Sequence, residues 1–146
     1  MVRFAWPGWW LGLALGVVSP VAAQQGKDPL PSVELKENYP NPFFPSTTIP
    51  FVIHEEVCRD GHRPVVTLKI FNVLAQEVAT ATLAHDSTAV LDRRPLDCGA
   101  FEAYWDGRFS DGRREIAPGV FWYGLTVDGT RHVRSMIAAR RITSER

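Results

Sequence analysis

Asn38-Tyr39-Pro40-Asn41-Pro42-Phe43-Phe44-Pro45-Ser46-Thr47-Thr48-Ile49, residues 38–49, is the stretch whose reading decides the fold. Its three prolines, Pro40, Pro42 and Pro45, fix φ near about −65° and remove backbone donors, so the segment is neither a helix nor a central strand. It reads as an extended, semi-rigid lead-in. Asn38 and Asn41 can bond nearby backbone, Ser46 and Thr47 can do the same after Pro45, and Phe43 and Phe44 both call for burial. Together these features describe a belt laid on the flank of a β-domain that begins at Ile49.

Downstream of the belt a period of two takes over. Ile49, Phe51 and Ile53 share one face, and Pro50 on the other face marks a strand start or a sheet edge. The polar run 56–64 is a loop carrying Cys58. Val66, Leu68 and Ile70 form the clearest strand, which ends at Asn72. A tight turn through Val73, Leu74 and Ala75 leads into a second strand over 77–83. Residues 88–91 give a short strand closed by 92–95, and Phe101, Ala103 and Trp105 alternate again before Asp106-Gly107. After the turn-rich 106–119, Phe121, Tyr123, Leu125 and Val127 line one face of a strand over 120–127. Asp128-Gly129 is a hairpin signal into a last strand over 132–139. With no amphipathic helix in 24–146, about seven short strands between Gly, Pro and Asp turns predict an all-β, Ig-like antiparallel sandwich over 34–141. Arg140-Arg141 after the last strand reads as edge protection.

Upstream, Arg3, an apolar run from Phe4 to Val18, and Val21-Ala22-Ala23 before the polar Gln24 describe a secretory signal peptide over 1–23. A membrane anchor is the alternative, but the apolar run falls short of the roughly 20 residues a spanning helix needs. Residues 24–33 are polar with two prolines and read as a flexible tether. Val33-Glu34-Leu35-Lys36 alternates and adds a short edge strand, and 142–146 forms a C-terminal tail. Removing 1–23 loses only Arg3 from 16 basic and 16 acidic side chains, leaving a net charge near −1. That balance gives no reason to expect nucleic acid or an anionic membrane as partner. Export places the chain in the periplasm, on the outer membrane surface or outside the cell, with no transmembrane segment in the mature chain.

Cys58 and Cys98 both lie in the exported part, where an even count favours a disulfide. A metal site using Cys58, His62 and Cys98 is the alternative reading. Asp106, Asp111 and Asp128 could offer oxygens to calcium, but each belongs to a turn-forming segment with glycine close by, which explains it without a cation. His54, His62, His85 and His132 stand beside no nucleophile motif, and the chain carries no phosphate loop, paired-histidine helix or nucleophile elbow. No catalytic, cofactor or metal residue is expected. Trp122, opposite the face of Phe121 and Tyr123, is the aromatic whose exposure decides a sugar-stacking reading.

Several of these residues carry a family likeness. Asn38, Tyr39, Pro40, Asn41, Pro42 and Phe43, followed by Pro45, Ser46 and Thr47, resemble the start of the bacterial C-terminal sorting domains of type IX secretion, to which the Ig-like module of the flagellar hook-capping protein is similar. Leu68 to Leu74, then Trp105-Asp106-Gly107, Asp111-Gly112 and Pro118-Gly119-Val120-Phe121 stand in that family's order. The resemblance spans 37 to about 140. It implies a non-enzymatic secreted module acting in protein–protein recognition for export or surface attachment, with secretion or surface-attachment machinery as partner. Phe44 stands where the family usually has Asn, which predicts an apolar, buried contact there. Ala75 replaces a usual Gly, and costs on the order of 1 kcal/mol if the turn needs φ above zero. A structural subunit of a surface or filament assembly, self-associating through sheet edges, is the alternative function, and a carbohydrate-binding module a further one.

Overall fold

A computed structural model of the chain describes residues 31–141, so the leader, nearly all of the tether and the tail 142–146 lie outside the described residues. Ten strands form: β1 (Val33–Leu35), β2 (Thr47–Ile53), β3 (Val65–Phe71), β4 (Glu77–Thr80), β5 (Thr82–Leu83), β6 (Asp86–Val90), β7 (Arg94–Pro95), β8 (Gly99–Trp105), β9 (Gly119–Val127) and β10 (Thr130–Ala138). They make two antiparallel five-stranded sheets packed as a sandwich. One has the order β1-β2-β8-β5-β6; the other runs β10-β9-β3-β4, with β7 also paired to β3. Among the described residues no helix is long and apolar enough to cross a membrane.

The period of two sets which side chains meet between the sheets. Ile49, Phe51 and Ile53 from β2 face Val66, Leu68 and Ile70 from β3 and Tyr123 and Leu125 from β9, all of them 0–1% exposed. Each such aliphatic or aromatic side chain contributes about 1.5–3 kcal/mol relative to exposure, so this layer dominates the fold's stability. The outward partners on the same strands are partly or largely exposed, apart from Gly124, which the Arg131 side chain covers.

Three features differ from the sequence expectation. The predicted single strand over 77–83 is two strands in different sheets. At Ala81 the chain crosses from one sheet to the other, where the Ala81 N–H donates to the Leu68 carbonyl (3.0 Å) and its carbonyl accepts from Leu91 N–H (2.9 Å). Val78, Ala79 and Ala81 are all buried, so alternation fails where the strand is enclosed by both layers. Pro50 marks neither a strand start nor an edge: it lies inside β2 between β1 and β8. Lys36 N–H donates to the Pro50 carbonyl, so the side of Pro50 that lacks a donor faces the place where β1 has ended, and the β2–β8 ladder is untouched. The short edge strand expected over Val33-Glu34-Leu35-Lys36 forms as β1, where Val33 pairs with Ile53. The polar 55–61 run is not plain loop but short 3₁₀ turns, broken at Cys58–Asp60.

The belt closes one side of the sandwich. Tyr39 bridges to Thr48 in the first sheet, and Phe43 bridges to Ala138 at the end of β10 in the second. Phe43 N–H donates to the Ile137 carbonyl (2.9 Å) and Ala139 N–H to the Phe43 carbonyl (2.8 Å). The end of the β10 edge is therefore covered by the belt, in addition to being followed by Arg140-Arg141.

Candidate recognition site at the belt end of the sandwich

The belt holds its path through side chains that the sequence pattern places in it. Asn38 is 2% exposed; its Nδ2 donates to Thr47 Oγ1 (3.0 Å) and to the Pro40 carbonyl (3.2 Å). Its backbone N–H donates to the Tyr123 hydroxyl (3.1 Å), which itself donates to the Lys36 carbonyl (2.9 Å). Burial pushes the Tyr123 hydroxyl above the ordinary tyrosine range, so it stays a donor throughout the neutral range. Thr47 Oγ1 donates to the Pro40 carbonyl (3.1 Å), which gives Thr47 the backbone-bonding role expected after Pro45. Asn41 Oδ1 accepts from Ile137 N–H (3.0 Å), and Tyr39 donates to Glu102 Oε1. The Tyr39-Pro40, Asn41-Pro42 and Phe44-Pro45 peptide bonds are all cis.

The second wall is the loop after β8. Trp105, 3% exposed, packs between Phe43 (centroids 5.4 Å apart) and Phe121 (5.7 Å), and its Nε1–H donates to the Arg108 carbonyl (2.9 Å). Gly107 has φ +74°, and a Cβ there would sit 2.0 Å from the Pro45 carbonyl oxygen. Only glycine lets the loop and the belt approach this closely. Asp106 Oδ1 accepts from Arg108 N–H (3.0 Å). Asp111 accepts from the N–H groups of Arg113 and Arg114 and from Arg114 Nε (2.7 Å), and the Arg114 bond first of all holds its carboxyl down at about 2.

Residues more than 60 positions apart in sequence thus meet at one end of the molecule, where they surround a cleft of about 330 Å³. Its apolar surface comes from Phe43, Phe44, Pro45, Ile116 and Pro118, and its charged rim from Asp106, Glu115, Arg140 and Arg141. The motif residues Asn38, Thr47, Trp105 and Gly107 build the scaffold behind this cleft, and Gly119 opens β9 just beyond Pro118. Phe44 corrects the sequence expectation: it is 43% exposed, on the cleft rim, with the Arg141 guanidinium 5.5 Å from its ring centroid. Successive side chains of an extended segment point to opposite sides, so when Phe43 takes the place beside Trp105, Phe44 must turn outward. Ile116, Arg140 and Arg141 carry no local pattern that would mark them as cleft residues.

The remaining candidates lie elsewhere. Cys58 and Cys98 form a disulfide, with Cα atoms 6.0 Å apart, which joins the 3₁₀ segment to the start of β8 at the opposite end of the sandwich. His62 is not drawn to the cysteines; its Nε2 meets Asp128 Oδ2 at 2.7 Å, and that contact first of all lowers the Asp128 carboxyl. Asp106 and Asp111 share the loop after β8 while Asp128 sits in the β9–β10 turn, and no three His, Cys, Asp or Glu side chains cluster as a metal site among the described residues. His54 contacts Glu34 at 3.2 Å, and His85 is exposed. Trp122, 43% exposed, stands on the outer face of its sheet with Val120, Val133 and Ile137. No known family, characterised protein or solved structure matches the chain.

Proposed function

We propose that the chain is a non-enzymatic, exported Ig-like module that acts in protein–protein recognition for export or cell-surface attachment, as its resemblance to type IX sorting domains implies. The observation that carries this reading is the convergence of the belt and the Trp105-Asp106-Gly107 loop on one cleft. Residues that recur together in the resembled family's order are spent on holding a surface in shape, with the Thr47 hydroxyl and the Asp106 carboxylate bonded to backbone. Such a rigidly scaffolded, partly apolar surface suits the capture of an extended peptide or loop from a partner.

The test is a fusion of residues 31–146 behind a reporter, expressed with a signal peptide in a host that possesses type IX machinery. Surface display of the reporter is the expected result. A reporter that stays in the periplasm, from a fusion shown to be folded by protease resistance, would sink the proposal.

A further inference from the structure

Among the described residues three arginine guanidinium groups lie over phenylalanine rings: Arg114 over Phe109 at 4.4 Å, Arg131 over Phe71 at 4.7 Å and Arg141 over Phe44 at 5.5 Å. The first shows what the arrangement does. With its face toward the Phe109 ring, Arg114 keeps its N–H groups for Asp111, whose Oδ2 accepts from Nε at 2.7 Å. An aromatic ring that receives one side of a guanidinium restricts its rotation and leaves the donor fork ready for a carboxylate. Arg141 also has a phenylalanine ring partner, Phe44, but among the described residues no carboxylate lies within 4.0 Å of it, and none lies that close to Arg140 beside it.

The Arg141 pair differs from that of Arg131 in its surroundings. Arg131 lies along Gly124 on an open sheet face, whereas Arg141 and Phe44 stand at the mouth of the cleft floored by Phe43, Ile116 and Pro118. The two carboxylates on that cleft are already held, Asp106 by the Arg108 N–H at 3.0 Å and Glu115 by the Arg108 guanidinium at 3.5 Å. A neutral N–H leaves Asp106 its charge, but Arg140 and Arg141 together outnumber that one unpaired carboxylate, so the rim of this partly apolar cavity carries a net positive charge. A volume of about 330 Å³ admits one or two side chains, not a folded surface.

We propose that this cleft is a receptor for an acidic side chain on an extended partner peptide. The Arg141 guanidinium, steadied by Phe44, takes the carboxylate, and a neighbouring apolar side chain of the peptide enters between Phe43, Ile116 and Pro118. The inference deepens the recognition reading by naming the class of ligand, and it rests on that reading only for its biological setting.

The probe is the peptide Gly-Leu-Glu-Leu-Gly, labelled with a neutral BODIPY dye and with both termini blocked so that its glutamate supplies the probe's only carboxylate, titrated with the whole protein and followed by anisotropy. The expected result is saturable binding with a Kd on the order of 100 μM, about tenfold weaker for the peptide carrying Gln in place of Glu. Arg141→Gln should bring the two peptides to the same weak affinity, and Phe44→Ala should weaken the Glu peptide about three- to fivefold. Both variants change exposed side chains, and an unchanged thermal melt confirms that they fold. Equal affinity for the Glu and Gln peptides, or full binding by Arg141→Gln, overturns the proposal. Binding that emerges only in Glu145→Gln overturns it too, by assigning the carboxylate to the chain's own tail. Peptide binding and reporter export are read separately, so loss of one does not masquerade as loss of the other.

Discussion

Gly107→Ala isolates the contact on which the belt end depends. Two effects act on the substituted protein. The first is conformational: alanine at φ +74° is disfavoured by about 1–2 kcal/mol, partly offset by the roughly 0.4–1 kcal/mol gained from a stiffer unfolded chain, for a net cost near 1 kcal/mol. The second is steric. The new methyl would lie 2.0 Å from the Pro45 carbonyl oxygen, so Pro45 must retreat by more than about 1 Å and draw Phe43 away from Trp105. Complete loss of a buried phenylalanine side chain costs about 3–5 kcal/mol, and a partial withdrawal about half of that. Gly107→Ala should therefore destabilise by about 3 kcal/mol. Gly112→Ala supplies the control, because Gly112 has φ +67° and nothing within 4 Å of its would-be Cβ, so it carries the conformational cost alone, about 1 kcal/mol. Urea denaturation followed by tryptophan fluorescence measures both, with Gly107→Ala lowering the midpoint by about 1–2 M more than Gly112→Ala for typical slopes. If the two variants agree within about 0.5 kcal/mol, the close approach of loop and belt does not govern stability and the reasoning fails.

Ala75 sits at φ +58° in the β3–β4 turn, so Ala75→Gly should stabilise by up to about 1 kcal/mol, read as a rise in the urea midpoint; no change would mean that the turn relaxes around alanine. Reduction of Cys58–Cys98, which are 40 residues apart, should cost about 3–4 kcal/mol, measured by comparing melts with and without reductant against a Cys58→Ser, Cys98→Ser double variant that no longer responds. Asp111 should titrate near 2 by NMR and return toward its ordinary value of 3.8 in Arg114→Gln. Because its folded value is depressed, whatever this carboxylate adds to stability is present above about pH 4 and lost as pH falls toward 2; an unchanged Asp111 titration in Arg114→Gln would refute the role given to the arginine.

Legibility from sequence tracked how local each feature is. Val66, Leu68 and Ile70 announced β3, and Phe121, Tyr123, Leu125 and Val127 announced β9, because the period of two follows from a strand having one face toward the core. The Asp128-Gly129 turn was equally plain, both residues having positive φ as a two-residue hairpin demands. Ala75 was legible as a condition, and its φ of 58° meets it. The crossing at Ala81 was not: alternation says which side chains face inward but not that the strand changes sheets, and the buried run Val78, Ala79 and Ala81 was its only trace. Phe43 and Phe44 are adjacent and chemically identical, so which one faces Trp105 depends on the path of the belt over the sandwich, a tertiary property. The cleft shares that dependence, since Arg140 and Ile116 become neighbours only after β9 and β10 have folded against the belt.

The belt also sets how the domain carries load. The chain enters at Val33, beside Ile53 and the disulfide end, and leaves at Ala138, beside Phe43 and the belt end, so entrance and exit lie at opposite ends of the sandwich. Tension between anything upstream of β1 and whatever grips the end of β10 therefore runs along the strands. Phe43 runs parallel to Ala138 and exchanges hydrogen bonds with Ile137 and Ala139, so the belt and β10 would have to slide past each other, straining those bonds together rather than one at a time. That is the shear geometry of a mechanical fastener, which resists a pull along the strands more strongly than bonds opened one at a time.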